Sequence, residues 1–259
     1  MLWKLLKYDF RSMWKQFAVV WPAVLVIGLV NRFTLPWEVT GSSAMANVPG
    51  AVGATTVILL FAGLLAMGVL ALVFILQRFY KGLLGDEGYL MHTLPVKPWQ
   101  LVASKLICAV VMLIISGAVA FLAMLLMVPV DWSALFQEGI LGDVIRWAAM
   151  NLGDVAVLLE AILLLVEVLA LMVLTCYAAM AVGHLFQRHR VAMSVVAFVV
   201  LDIVISNLTA ILGRLAAPLE IFAVNSQVGI WAVILYQAVL GAALFAGATL
   251  VLSRRLNLE

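Results

Sequence analysis

The chain of 259 residues is 66% hydrophobic and 11% charged, against about 45–50% and about 25% in ordinary globular domains. With a mean hydropathy of +1.20 it carries too little polar surface to cover a core in water, which excludes a soluble domain and makes lipid its solvent. A formal net charge of +2 is too small for bulk attraction to nucleic acid, and Cys108 and Cys176, both in apolar runs without metal-type spacing, exclude a disulfide framework.

The chain opens on MLWKLLKYDFRSMWKQ, residues 1–16, where Lys4, Lys7, Arg11 and Lys15 recur at spacings of 3, 4 and 4. That stripe, with Leu2, Leu5, Leu6, Phe10, Met13 and Phe17 on other faces, predicts a helix lying in the membrane interface and touching lipid. The alternative is a charged start that only orients the first span, which needs the cations but not their helical phase. Six runs long enough to cross the hydrocarbon core, which takes about 20 residues, follow near 17–35, 52–77, 105–130, 154–183, 191–213 and 228–251. Only Pro22 among the seven prolines lies inside a run. Basic residues alternate sharply between the two sides. Lys4, Lys7, Arg11, Lys15, Arg78, Lys81, Lys97, Lys105, Arg188, Arg190, Arg254 and Arg255 fall on one side, and only Arg32, Arg146 and Arg214 on the other. Both termini are therefore expected in the cytoplasm. The predicted fold is an all-α integral membrane protein, with an interfacial helix over 1–16 and six transmembrane helices over 17–259.

The connection QRFYKGLLGDEGYLMHTLPVKPWQLVAS, residues 77–104, is the least membrane-like stretch. Gly85, Asp86, Glu87 and Gly88 can cap and break helices, Tyr89, Leu90 and Met91 add apolar side chains, and Pro95 and Pro98 fix re-entry into the third run. A short helix with an apolar tip in need of a partner and an ordinary loop folded back on the bundle fit these residues equally. The strings QRFYK at 77–81, LLGDEGYLMHTLPV at 83–96, WQL at 99–101 and SKL at 104–106, with LLKYDF at 5–10, resemble the ABC-2 group of ABC transporter permeases common in Gram-positive bacteria. In detail the resemblance covers residues 1–20 and 77–107, and its most specific string is DEGYL-x-x-TLP.

That resemblance implies a half-transporter of the bacterial cell membrane, with residues 1–16 as a connecting helix on the cytoplasmic leaflet. Gly85, Asp86, Glu87, Gly88, Tyr89, Leu90 and Met91 would dock on a separate cytoplasmic ABC ATPase subunit. Two such subunits would bind the ATP and Mg, and a second permease chain, identical or different, would complete the translocation path. Short re-entrant helices over 214–227 are implied as well.

No G-x-x-x-x-G-K-[ST] string is present to hold a nucleotide, because Gly82 to Glu87 lacks the lysine and the hydroxyl. His92, His184 and His189 sit at run edges without the spacing of a metal pair. The chain is thus expected to be no enzyme, to bind no metal and no cofactor, and to leave ATP hydrolysis to its partner. Glu160, Glu167 and Asp202 lie inside runs, where each carboxylate at a helix centre costs about 2.5–3.5 kcal/mol. Glu160 and Glu167 are seven residues apart, nearly on one face, and Glu167 and Asp202 are both expected near the midplane, with Ser206 one turn beyond Asp202. They either line a pathway or a seam between chains, favouring cationic or amphipathic substrates, or act as protonated glue between helices. Residues 131–153 suggest an amphipathic outer-leaflet helix broken at Gly139 and Gly142. The functional expectation is a permease subunit that expels a hydrophobic or amphipathic compound, such as a peptide antibiotic or lipid-like molecule. The competing expectation is an ATP-independent carrier or channel using the three acids.

Overall fold

Long apolar runs without interior breakers satisfy their backbone groups within themselves, which in lipid leaves the helix as the open solution. A computed structural model of the protein describes residues 2–34, 50–84, 97–127, 152–186, 189–216 and 226–254. The helices are α1 (Leu2–Thr34), α2 (Gly50–Phe79, prolonged by a π-helical turn at Tyr80–Leu84), α3 (Pro98–Met127), α4 (Leu152–Gly183), α5 (Arg190–Ala216) and α6 (Ser226–Arg254). No strand occurs among the described residues, and all six helices are long and apolar enough to cross a membrane. The polytopic reading of the sequence is met helix by helix. Residues 85–96, 131–151 and 217–225, which hold the expected coupling segment, most of the outer amphipathic segment and most of the re-entrant segment, lie outside the described residues.

One boundary differs from expectation. α1 runs unbroken from Leu2 to Thr34, so residues up to 16 are the first turns of the long helix and not an element of their own. The reason is a single buried stripe, Asp9, Met13, Phe17, Trp21, Val24, Gly28 and Asn31, whose spacing of three or four residues crosses Gln16 and Phe17 without a phase change. Lys4, Lys7, Arg11 and Lys15 are exposed. At 1.5 Å per residue the helix is about 50 Å long, well beyond the roughly 30 Å hydrocarbon thickness.

The helices contribute to two compact units. The unit formed by Phe10–Ile75 and Val111–Val155 packs α1 through aromatic and small residues. Phe17 meets Phe74 edge-on at 5.5 Å, and Trp21, beside the helix-interior Pro22, donates from Nε1 to Ser116 Oγ at 3.0 Å. Gly28 allows the closest approach. A Cβ there would sit 2.6 Å from the Ala123 carbonyl oxygen, an example of the small-residue contacts that draw helices together in lipid.

The unit formed by Met1–Asp9, Leu76–Val110 and Ala156–Glu259 holds the remaining polar side chains discussed below. Its α4 and α6 are parallel. Glu160 meets Gln227 at one point, and Gly241 lies against Leu171 and Leu174 at another. From Glu160 to Leu174 and from Gln227 to Gly241 the chain advances by the same number of residues, about 21 Å of helix. α5 returns antiparallel through a short turn, with Ser194 packed directly on Gly183. None of α5's apolar window is buried within the chain, against 33% of that of α3.

Candidate functional site

Asp9 lies on the buried stripe of α1, opposite in phase to the four exposed cations, and is 2% exposed. A carboxylate so placed needs donors, and two other helices bring them. Arg78, in the last turn of α2, donates to Asp9 Oδ1 from Nε at 3.0 Å and from Nη2 at 2.8 Å. From the start of α3, Lys105 Nζ reaches the same oxygen at 3.3 Å and Ser104 Oγ reaches Oδ2 at 3.2 Å. The Arg78 guanidinium also lies 5.0 Å from the centroid of the Tyr8 ring, a cation–π distance.

Buried packing surrounds this charge. Phe79 stacks on Tyr177 of α4 at 3.8 Å, and the Tyr177 hydroxyl donates to the Lys105 carbonyl at 3.4 Å. The Cys108 thiol points to the Leu6 carbonyl at 3.5 Å. Gly82, inside the π-helical turn, leaves room for the lysine, since a Cβ there would stand 2.6 Å from Lys105 Nζ. One carboxylate thus holds two cations, and through them the two stems of the 85–96 connection are fastened to each other and to the beginning of α1.

Two histidines border the turn between α4 and α5. The His184 ring lies 5.2 Å from that of Tyr80, and its Nε2 is buried without a hydrogen-bond partner. Burial, reinforced by the charge of Arg190, pushes its pKa below the ordinary histidine value. His189 adopts φ 61° where the chain enters α5, an uncommon conformation for a residue with a Cβ. Among the described residues no group of three or more His, Cys, Asp or Glu side chains is gathered as a metal site.

The three acids expected inside the membrane occupy three different environments. Glu160 is 8% exposed, and its Oε1 accepts from Gln227 Nε2 at 3.2 Å while its buried Oε2 has no donor. Glu167 is half-buried, and its Oε2 is likewise buried without a donor. Asp202 is exposed on α5, as is Ser206. Glu167 and Asp202 do not share a depth. The Gly183–Ser194 contact sets the register of α4 against α5, and counting along both helices brings Asp202 level with Thr175, about 12 Å from the level of Glu167. The coupling candidates Gly85, Asp86, Glu87, Gly88, Tyr89, Leu90 and Met91 lie outside the described residues.

Sequence reasoning passes over Asp9, Arg78, Ser104 and Lys105 as a group, and over Gln227 and Gln237. A signal for Asp9 was nonetheless present, since it is the one acid among four basic residues and falls in phase with Met13 and Phe17 instead of with them. No family model, no curated protein and no solved structure matches the chain.

Proposed function

We propose that the chain is the membrane-spanning subunit of an ATP-driven exporter of the ABC-2 type, set in a bacterial cell membrane with both termini in the cytoplasm. The observation that supports this most is the fastening of both stems of the 85–96 connection by Asp9. A segment pushed from outside can move a helical bundle only if its stems are stiff and joined, and a buried, charge-assisted cluster supplies both properties. The resemblance of residues 77–107 to ABC-2 permeases names what would push.

In this mechanism a cytoplasmic ATPase subunit, one of two, docks on Gly85 to Met91, and ATP-driven closure of the pair displaces that segment. The displacement passes through Arg78, Lys105 and Asp9 into α1, α2 and α3, and the bundle alternates between inward and outward openings. ATP and Mg stay on the partner, and this chain binds neither. Lys4, Lys7, Arg11 and Lys15, all exposed, hold the first turns of α1 against anionic headgroups, each contributing about 1 kcal/mol near such a surface. A second permease chain covers Asp202, which on an exposed membrane helix is otherwise costly. Glu167 and Asp202 then face the pathway or the seam between chains, with Glu160 buried behind them against Gln227, and the substrate is a hydrophobic or amphipathic compound.

Purification in mild detergent tests this. The chain should co-purify stoichiometrically with a soluble subunit carrying a Walker phosphate loop, and the double substitution Glu87→Ala, Tyr89→Ala should lower that recovery several-fold without reducing membrane insertion. Substrate movement by the chain alone in vesicles lacking ATP overturns the proposal.

A further inference from the structure

The seam between α4 and α6 presents hydrogen-bond acceptors and too few hydrogens. Its register is fixed at two points, the Glu160–Gln227 hydrogen bond at 3.2 Å and the seating of Gly241 against Leu171 and Leu174. By the offset of the Glu160–Gln227 contact, Gln237 of α6 stands three residues, about 4.5 Å, further along the seam than Glu167 of α4, a step that two long side chains can span. Three oxygens along this seam are buried without a donor: Oε2 of Glu160, Oε2 of Glu167 and Oε1 of Gln237. The Gln227 amide donates to the other oxygen of Glu160.

Counter-charge does not fill the deficit. Between Ser226 and Ser253, α6 has no charged residue, and its one titratable group, Tyr236, shares a hydrogen bond of 2.9 Å with Thr209 of α5. On α5 the charged groups are Arg190, Asp202 and Arg214. Arg190 belongs to the turn beside His184, Asp202 lies about 12 Å away at the level of Thr175, and Arg214 is exposed. On α4 itself, Asp154 stands six residues before Glu160, Cys176 and Tyr177 sit toward the far end of the helix, and His184 lies just beyond it. Among the described residues neither glutamate has a cation within 4.0 Å. Two carboxylates here would be buried negative charges facing further acceptors, the most expensive arrangement such a seam could hold. A hydrogen on each carboxyl removes both charges and supplies the missing donors, and nothing larger has to enter a side chain that is 8% exposed.

We propose that the α4–α6 seam is an intramembrane proton-binding site, in which Glu160 and Glu167 each hold one proton and the amides of Gln227 and Gln237 orient them. Each carboxylate oxygen forms one O–H bond with a proton from hydronium in the bathing solution, whose own O–H bond breaks to leave water, and the product is a neutral carboxylic acid with no change of oxidation state. The O–H of Glu167 is then a donor for the otherwise unsatisfied Oε1 of Gln237, and the proton on Glu160 removes the charge from its donor-less Oε2 while Oε1 keeps the amide of Gln227. This site requires no ATPase partner, so it stands or falls separately from the exporter proposal.

The test uses the full-length protein in lipid nanodiscs at pH 7.5, labelled with 13C at the glutamate carboxyl and read by infrared spectroscopy. The labelled carbonyl band of a protonated acid should be present. It should fall by about half in Glu160→Gln and in Glu167→Gln and vanish in the double variant, while Gln237→Leu should shift the Glu167 component without removing it. The band should be identical in NaCl and choline chloride. Absence of the band in the wild-type protein, which needs no variant to fold, overturns the proposal, as does its survival in the double variant. A carboxylate band that moves between the two salts overturns it in favour of an alkali cation held by the same oxygens.

Discussion

Two buried carboxylates in one compact unit are treated in opposite ways. Asp9 is surrounded by Arg78, Lys105 and Ser104 and receives more donors than its charge requires. Glu160 receives one amide hydrogen and leaves its second oxygen bare. An acid over-supplied with cations has a fixed charge state and a fixed position, which suits it to transmit force. An acid under-supplied with hydrogens sits where something from outside the chain must complete it, which suits it to bind. The difference follows from placement. Asp9 lies where α1 begins, α2 ends and α3 begins, and where lysine and arginine are abundant, whereas α6 has no charged residue between Ser226 and Ser253.

The largest expected effect tests the first half of this contrast. Replacing Asp9 with Asn leaves Arg78 and Lys105 facing each other with no anion between them, and removing one member of a buried charge cluster costs about 3–5 kcal/mol. Thermal unfolding of the purified protein in detergent should show a large drop in midpoint. A drop no greater than that of an exposed control such as Lys15→Gln removes the clamp from the account. If Glu160 is instead replaced with Ala, one inter-helix hydrogen bond is lost, at about 0.6–2 kcal/mol. Glu160→Gln keeps the shape and a donor and should change the midpoint little. Equal losses for Gln and Ala would mean that Glu160 is held by its charge, as Asp9 is, and the contrast would collapse.

A smaller effect sharpens the same point from the cation side. Lys105→Met removes the second cation while Asp9 keeps Arg78 and Ser104, and a surplus buried charge replaced by an apolar side chain of similar length is expected to change stability by about 1 kcal/mol or less, with either sign. A stabilised Lys105→Met protein that has lost coupling to a partner ATPase would assign the surplus cation to function instead of folding. A loss as large as that of Asp9→Asn would show that the two cations are not redundant.

How much of this was legible in the sequence differs between the two regions for a physical reason. The helices follow from the length of apolar runs alone, and Glu160 and Glu167 stand out because a charge in such a run is costly wherever it points. Asp9 does not stand out, since an acid among Lys4, Lys7, Arg11 and Lys15 reads as a solvated partner until its phase with Met13, Phe17 and Trp21 is counted, and Arg78 and Lys105 read only as markers of the positive side. The same emphasis on charge divides α1 at Gln16 when its buried stripe is continuous. Depth misleads for Asp202, because counting from run ends assumes that neighbouring helices start level, and the register is set instead by the contact of Ser194 on Gly183. Gln227 and Gln237 are neutral, so no count of charge finds them.

The smallest expected effect concerns His184, which is neither over-supplied nor central. Burial and the charge of Arg190 lower its pKa in the folded protein relative to the unfolded chain. Between the folded and unfolded values the unfolded state therefore binds more protons, and by linkage folding is favoured as pH rises. The contribution is fully present above the ordinary histidine range and is lost as pH falls through the lowered value. His184 is partly exposed, so solvent screening keeps the effect small. Unfolding midpoints measured at pH 8 and pH 5.5 should fall further for the wild-type protein than for His184→Gln, whose side chain does not titrate there. The difference between the two proteins isolates the imidazole from the acids, which both proteins share. A wild-type midpoint that rises on acidification relative to His184→Gln would mean that the ring gains a partner when charged, and would move His184 from a packed edge residue to a third charge site beside Tyr80.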